Sequence, residues 1–310
     1  MSDTNPLYKR VSHWMHRNAR EIELALWKYF FEQGSQEAVL SALEVYQNDD
    51  GGFGNTLEAD SWNPNSSPYT TLHAINILES IGYTDLSHPI YVGIIKYLHS
   101  GAHFKEFGWE FSIPTNDNYP HAPWWSYSEE ANYTESIGLS AELCAFVLEN
   151  IDKDTDLYQK VRKLSNRLVD KMLYEEAFGD MGIGGFIVLC ETLKRMTKDD
   201  RKCSELQSKL NELVKKSIEH DSSKWAFYTV RPSNYITSPK SIFYEDNKEI
   251  VHKELDYLLE SIPSNDVWGI TWTWFDNMDQ YAKEFAISEN WWKAYKAIEK
   301  MQFLRNFDIL

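Results

Sequence analysis

Two short segments of this chain carry side chains that can move protons. Glu58 and Asp60 follow the glycine-rich run Asp50-Gly51-Gly52-Phe53-Gly54, and two neighbouring carboxylates can act as acid and base or bind a polar ligand. His121 lies between two prolines, in Pro120-His121-Ala122-Pro123, and an imidazole titrates near neutral pH. We predict His121, Glu58 and Asp60 as catalytic residues. The alternatives are helix capping for the two acids and a structural hydrogen bond for His121.

Aromatic side chains accompany these candidates and recur near the end of the chain. Indole faces stabilise cations and stack on planar ligands, so an aromatic wall suits an apolar or planar substrate. The alternative role is packing between helices. The predicted substrate-binding residues are Tyr69, Trp124, Trp125, Trp268, Trp272, Trp274 and Asp276.

Two kinds of helix are predicted to position these residues. Between 155 and 177 the apolar residues fall three or four apart, as in Leu157, Val161, Leu164 and Leu168, which indicates a helix with one wet face. The stretch 136–151 is apolar nearly all round, which indicates a buried helix. The pair 183–196 and 201–218 repeats this alternation, as two concentric rings of helices require. We therefore predict an all-α fold of roughly five to six helix pairs.

The sequence also predicts where helices begin. Ser67 before Pro68 and Ser238 before Pro239 have a hydroxyl at the N-cap and proline at the first helical position, and Asn132 with Glu135 resembles a capping box. The longest stretches without helix are predicted at 104–131 and 222–238, and long loops in compact domains are often functional.

Composition limits the classes of protein and partner. The 310 residues are 43% hydrophobic and include no linker of low complexity. This composition favours a single domain that spans residues 1–310. The formal charge of −16 opposes binding to nucleic acid. We expect no transmembrane segment, because no apolar run is long enough to span a bilayer, and a cytoplasmic location, because the N-terminus lacks an apolar signal region.

The glycine-rich run carries a resemblance to a known superfamily. A helix that ends in Gln47, followed by an acidic turn, Gly51-Gly52 and Phe53, resembles the QW-type repeat of terpenoid cyclases and protein prenyltransferases. A second copy leads from 255–262 into 265–274. The chain also looks like bacterial proteins labelled prenyltransferase-like or squalene-cyclase-like, over almost its whole length. The matching segments are 25–27, 46–60, 66–71, 121–125 and 268–274. The resemblance implies an α/α toroid with a central cavity lined by these loops.

Several functions remain open at this point. The chain has no Asp-x-Asp-Asp acid, no Asp-x-Cys with a later zinc-binding His, and no DDxxD magnesium motif, so we predict no metal site and leave the cofactor open. The first hypothesis is an isoprenoid-related enzyme or a protein that binds an apolar ligand. The alternative is a carbohydrate-active enzyme with paired carboxylates, and the third is a scaffold without catalysis. The expected partner is a small molecule, isoprenoid or saccharide, and the oligomeric state is open.

Overall fold

A computed structural model describes residues 5–176, 178–179, 181–196, 200–264 and 266–310, with the side chains of 200–202 left out. The chain divides into two compact units. Unit 1 combines Met1–Val45 with Lys215–Leu310, and unit 2 is Tyr46–Val214. The prediction of one domain over 1–310 stays a prediction.

The described residues form eleven α-helices and a single two-stranded antiparallel pairing. The helices are α1 (Pro6–Asn18), α2 (Glu21–Phe31), α3 (Gln36–Glu44), α4 (Pro68–Ser80), α5 (Pro89–Ser100), α6 (Glu129–Asn150), α7 (Asp156–Tyr174), α8 (Gly182–Met196), α9 (Asp200–Ser217), α10 (Tyr244–Ser261) and α11 (Met278–Asn306). The strands are β1 (Phe104–Lys105) and β2 (Gly108–Trp109). Single turns of 3₁₀-helix cover Pro114–Asn118, Pro123–Trp125, Ser222–Lys224, Pro232–Asn234 and Phe275–Asn277.

The all-α class is confirmed, and the ring arrangement of the helices stays a prediction. Of the two long non-helical stretches predicted from sequence, 222–238 contains only 3₁₀ turns. The stretch 104–131 contains β1, β2 and 3₁₀ turns up to residue 128, and its predicted end lies three residues too late because α6 begins at Glu129. Among the described helices, none combines the length and the apolar character that a membrane span requires.

The predicted alternation of helix types holds for α6 and α7, whereas α8, predicted to be buried on most sides, is exposed at Val188, Glu191 and Lys194. From Ser136 to Leu148 every residue of α6 is buried except Glu142, whereas α7 buries one stripe that includes Val161 and Leu164. A helix buried on most sides must pack against several neighbours, and α6 contacts α4, α7 and α8. Any polar side chain on α6 therefore needs a partner from another element.

One predicted helix start is confirmed and two are wrong. Ser67 caps α4 by accepting the N–H of Thr70, with proline at the first helical position. Helix α6 begins earlier than predicted, because Ser128 is the N-cap. Asn132 lies inside α6, where its side chain accepts the N–H groups of Phe111 and Ser112.

The cap predicted at Ser238 is the second error. Residues 238–242 form turns, and α10 begins only at Tyr244, with Phe243 as its N-cap. Backbone bonds from Ser241 to Ser238 and from Tyr244 to Ser241 hold these turns.

The glycine turn before α4 is built by close backbone contacts. Gly51 has a φ of +93°, and a Cβ there would lie 2.1 Å from the carbonyl oxygen of Gly93 on α5. Gln47 donates to the carbonyls of Gly51 and Ile90 and so ties the turn to α5. Phe53 is fully buried. Only glycine fits at 51, and the turn fixes the start of the segment that carries Glu58 and Asp60.

Unit 1 joins the two ends of the described chain. Helices α1 and α2 pack against α11, and Arg305 on α11 donates to the carbonyl of Phe30 at 2.7 Å. Asn290 likewise donates to the carbonyl of Asn18 at 2.8 Å. Of the second repeat copy, residues 255–261 belong to α10, whereas Asn265 lies outside the described residues.

Candidate functional site

The structure brings two predicted catalytic segments together in unit 2. Ser61 and His121 form an antiparallel bridge, and the N–H of Ala122 donates to the carbonyl of Asp60 at 2.9 Å. Asp60 and His121 therefore lie on neighbouring stretches of backbone, although they are 61 positions apart in the chain.

Glu58 is a buried carboxylate with one oxygen left over. Its residue surface is 2% exposed. One oxygen accepts the N–H of Asp60 at 3.2 Å, and the other lies 3.6 Å from Nδ1 of His73 on α4 without a hydrogen-bond partner among the described residues. An unbonded carboxylate oxygen is costly in a buried place, and the catalytic role of Glu58 stays a prediction.

His121 is held by its own loop. Its Nδ1 lies 2.6 Å from the carbonyl of Tyr119, so this nitrogen carries the proton and donates. In the neutral ring Nε2 then accepts from the hydroxyl of Ser126 at 3.0 Å. Both ring nitrogens are engaged, so a proton transfer by His121 first requires Ser126 to turn away.

The aromatic candidates of unit 2 form a cluster of three rings. Trp125, which is buried, stacks on Phe111 at 4.6 Å between ring centroids and meets Tyr69 edge-on at 4.4 Å. Trp124 is exposed. The structure thus places Tyr69 against Trp125 and adds Phe111, which the sequence did not single out, and the predicted binding role of Tyr69, Trp124 and Trp125 stays a prediction.

The remaining candidates lie in unit 1. Trp268 and Trp274 are buried, and Trp268 donates its indole N–H to the carbonyl of Leu258 at 2.9 Å. Trp272 is half-buried against Trp292, with ring centroids 5.3 Å apart, and Asp276 is exposed. These contacts account for Trp268 and Trp274 as core residues, and the predicted binding role of the whole group stays a prediction.

A cavity of about 400 Å³ lies elsewhere in unit 2, between α4, α5, α6, α8 and the loop after α4. This volume falls within the range of small-molecule sites. The residues that give the cavity its chemical character are Asn76, Glu79, Tyr91, Glu142, Glu149 and Arg195. We call it the acidic cavity. No residue of this cavity was among the candidates predicted from the sequence.

Between Ser136 and Leu148, Glu142 is the one residue of α6 that is half-buried rather than buried. Asn76 on α4 donates to its carboxylate at 3.1 Å. The pKa of Glu142 is raised to about 7, mainly by burial and also by the charge of the nearby Glu79, against the opposing effect of the bond from Asn76. Near neutral pH this carboxyl group is protonated about half of the time, the state that a general acid requires.

The other carboxylates of the acidic cavity have different surroundings. Removal from bulk water raises the pKa of Glu79, and the charge of Glu149 adds to the increase against an opposing effect of Arg195. Glu149 itself accepts a hydrogen bond from Arg195 at 2.8 Å and from the hydroxyl of Thr192 at 3.2 Å. The cavity therefore combines two carboxyl groups of raised pKa, Glu79 and Glu142, with a carboxylate that is bound by a cation.

One wall of the acidic cavity is aromatic. The rings of Tyr83 and Tyr91 lie parallel with centroids 6.2 Å apart, and Phe146 continues the stack at 6.1 Å. Burial raises the pKa of Tyr91 to about 12, and its hydroxyl donates to the carbonyl of Tyr83 at 2.9 Å. The wall offers flat apolar faces beside the carboxyl groups.

One feature of the sequence pointed to this cavity. Glu142 stands alone in the apolar run from Ser136 to Leu148, and a lone carboxyl group on a buried face requires a polar partner from another helix. Asn76 occupies the corresponding position in the apolar run of α4.

Among the described residues, no group of three or more His, Cys, Asp or Glu side chains is arranged to hold a metal ion. No protein-family model matches the chain, and the searches of curated proteins and of solved structures likewise give no match.

Proposed function

We propose that unit 2 is an acid–base enzyme that cleaves a glycosidic bond of a small saccharide in the acidic cavity. The observation that carries this proposal is Glu142, whose pKa lies near 7 inside a cavity large enough for a ligand. The alternation of buried and amphipathic helices supports an α/α toroid, with α4, α6 and α8 in the inner ring. The cytoplasmic location predicted from the sequence belongs to the same proposal.

Glu142 and Glu149 supply the two roles that glycoside hydrolysis needs. They lie seven residues apart on α6, hence on one face and roughly 10 Å apart along the helix axis. Flexible side chains can shorten this spacing to the about 6.5–9.5 Å of inverting enzymes. Glu142 donates its proton to the leaving-group oxygen, and Glu149, held by Arg195, takes a proton from the attacking water.

The acidic lining also favours a neutral ligand over a diphosphate. The glutamates at 79, 142, 149 and 191 outnumber the one cation, Arg195, in the cavity wall, so a diphosphate would meet repulsion. Sugar hydroxyls can donate to these carboxylates and accept from Arg195, while the apolar face of the ring lies on Tyr91.

The test is turnover of a panel of aryl glycosides and oligosaccharides by the full chain and by Glu142→Gln. Glutamine keeps the bond from Asn76 but cannot donate an acidic proton, so we expect at least a hundredfold loss of kcat. The matched control is Glu130→Gln on the first turn of the same helix, which is exposed. Full activity in Glu142→Gln, or no cleavage of any glycoside by the unaltered protein, refutes the proposal.

A second candidate function is binding of an isoprenoid at the three-ring cluster of unit 2. The observation in its favour is the stacking of Trp125 with Phe111 and Tyr69, because stacked aromatic faces suit a polyene or a developing carbocation. We expect an isoprenoid alcohol to raise Tm, and Tyr69→Leu to lose this effect while the exposed Trp124→Ala keeps it. An equal response of both variants contradicts this candidate.

A further inference from the structure

Three helices each contribute one stripe of side chains to the acidic cavity. On α6 the lining residues Glu142, Phe146 and Glu149 are spaced by four and three positions, which puts them on one face of the helix. The stripe of α4 ends at Glu79, and that of α8 runs from Val188 to Arg195. Carboxyl groups therefore line the cavity from all three helices.

The acidic cavity holds more negative charge than its described residues compensate. Among the described residues that line it, Arg195 is the one cation. The Nε and Nη2 atoms of Arg195 both donate to the carboxylate of Glu149, so its charge is used there. Neither Glu79 nor Glu191 accepts a hydrogen bond from a described residue or forms an ion pair with one. Both carboxylates are thus available to a positive group of a ligand.

Glu79 interacts with charges on two sides of the cavity. Besides burial, its charge raises the pKa of Tyr91 and that of Glu142. Its own pKa is raised by removal from bulk water and by the charge of Glu149. Glu79 therefore lies near the aromatic wall and near both glutamates of α6. A positive group beside Glu79 offsets the mutual repulsion of these carboxylates.

The aromatic wall is a second and independent feature that favours a cation. The faces of aromatic rings attract an ammonium group, and Tyr83, Tyr91 and Phe146 place three such rings in one stack. The hydroxyl of Tyr91 already donates to the carbonyl of Tyr83 at 2.9 Å, so Tyr91 contributes its ring to a ligand rather than a hydrogen bond. A carboxylate beside aromatic faces suits an ammonium group better than a hydroxyl.

We propose that the saccharide cleaved in the acidic cavity is an amino sugar, whose protonated amine lies between the carboxylate of Glu79 and the ring of Tyr91. This inference rests on the proposed glycosidase activity and narrows its substrate class. The lining that repels a diphosphate attracts this amine, and Glu191 adds to the attraction from α8. Glu142 and Glu149 keep the roles of acid and base, because neither is needed to hold the amine.

The first experiment measures binding apart from cleavage, in the full chain with Glu142→Gln. The probes are methyl glucoside and its 2-amino, 3-amino and 6-amino analogues, each of which replaces one hydroxyl by a protonated amine at pH 6. NMR titration gives the Kd of each probe. We expect at least one amino analogue to bind at least tenfold more tightly than methyl glucoside, a difference of about 1.4 kcal/mol. Equal or weaker binding of all three analogues, or no measurable binding, overturns the proposal.

A second variant locates the amine. Glu79→Gln, added to Glu142→Gln, removes a carboxylate at an exposed position that tolerates the change, so most of the preference for the amine should be lost. The matched control is Glu130→Gln, which removes the same charge at an exposed position outside the cavity and should keep the preference. An equal loss in both variants shows attraction by the net charge of −16 alone and overturns the site.

Turnover separates this inference from the proposed function. For the unaltered protein and aryl glycosides of the same sugars, kcat/KM should be at least tenfold higher for the amino sugar that binds best. Equal cleavage of amino and neutral glycosides leaves the glycosidase in place and overturns the amine preference. Tight binding of an amino analogue without cleavage of any glycoside refutes the proposed function and supports the ammonium site. Butylamine that binds as tightly as the best analogue overturns the assignment of a saccharide.

Discussion

Glu142 in unit 2 and Glu254 in unit 1 share a raised pKa with the same leading cause, burial. Their partners differ. Glu254 accepts two strong hydrogen bonds from Ser233 and faces Arg231, whereas Glu142 accepts one bond from Asn76 and otherwise faces the acidic cavity. Glu254 is thus surrounded by hydrogen-bond partners, whereas Glu142 can still bind a ligand or give up a proton.

The comparison teaches that a shifted pKa does not by itself mark a functional site. Structural networks shift pKa values as strongly as active sites do. What distinguishes Glu142 is unused hydrogen-bonding capacity beside a volume that a ligand can fill.

The largest effect is expected from Glu254→Ala. It leaves the N–H and hydroxyl of Ser233 and the charge of Arg231 without their acceptor, and loss of one partner from a buried charged network costs about 3–5 kcal/mol. Urea unfolding measures this loss. Glu249→Ala on the exposed side of α10 is the control and should stay within about 0.5 kcal/mol of the unaltered protein. A small loss of stability in Glu254→Ala would show that Glu254, like Glu142, has hydrogen-bonding capacity that its neighbours do not use.

Glu142→Gln is expected to act in the opposite direction at high pH. The folded-state pKa of Glu142 lies above the ordinary value of 4.5, so its stabilising contribution is complete below pH 4.5 and is lost as the pH rises through about 7. Glutamine does not titrate. The variant should nearly match the unaltered protein at pH 4.5 and exceed its stability by about 3 kcal/mol at pH 8, because each unit of pKa shift corresponds to about 1.36 kcal/mol. If the free energies of unfolding of the variant and the unaltered protein differ by the same amount at every pH from 4.5 to 8, the raised pKa of Glu142 is contradicted.

Ser233→Ala removes one of the two bonds that enclose Glu254. The hydroxyl bond is lost and the N–H bond is kept, so we expect about 1.5 kcal/mol of destabilisation, the usual value for a hydrogen bond to a charged group. Thermal unfolding at pH 7 measures it. A loss of stability as large as that in Glu254→Ala would show that the hydroxyl of Ser233 is the only partner that stabilises the carboxylate of Glu254.

Asn76→Ala should give the smallest effect. The bond from Asn76 lowers the pKa of Glu142, so its removal should move the titration of Glu142 to higher pH, with a loss of stability of about 1 kcal/mol or less. The readout is the midpoint pH of the stability difference between Asn76→Ala and the double variant Asn76→Ala/Glu142→Gln. A shift of this midpoint to lower pH would contradict the assigned role of Asn76.

The sequence predicted the features that depend on neighbours along the chain. Ser67 caps α4 because its hydroxyl and the N–H that it accepts are three residues apart, and the apolar run of α6 indicates burial by itself. Periodicity indicated that Glu142 needed a partner but not which one, because Asn76 reaches it from another helix. The error at Asn132 has the same origin, since β2 is followed by backbone N–H groups that its side chain accepts. Long-range pairing decides such residues, and a single sequence does not reveal it.

The composition of unit 1 has a consequence for the order of events during synthesis. Helices α1 to α3 leave the ribosome well before α11, against which α1 and α2 pack. At ordinary elongation rates the interval between the two is roughly 10 to 50 s. During that time the apolar faces of α1 and α2, including Met15 and Trp27, which are fully buried once folding is complete, have no docking surface from α11. Unit 2 is a continuous segment of chain and can fold during this interval. We therefore expect chaperones to bind mainly to α1 and α2 while α11 is still being synthesised.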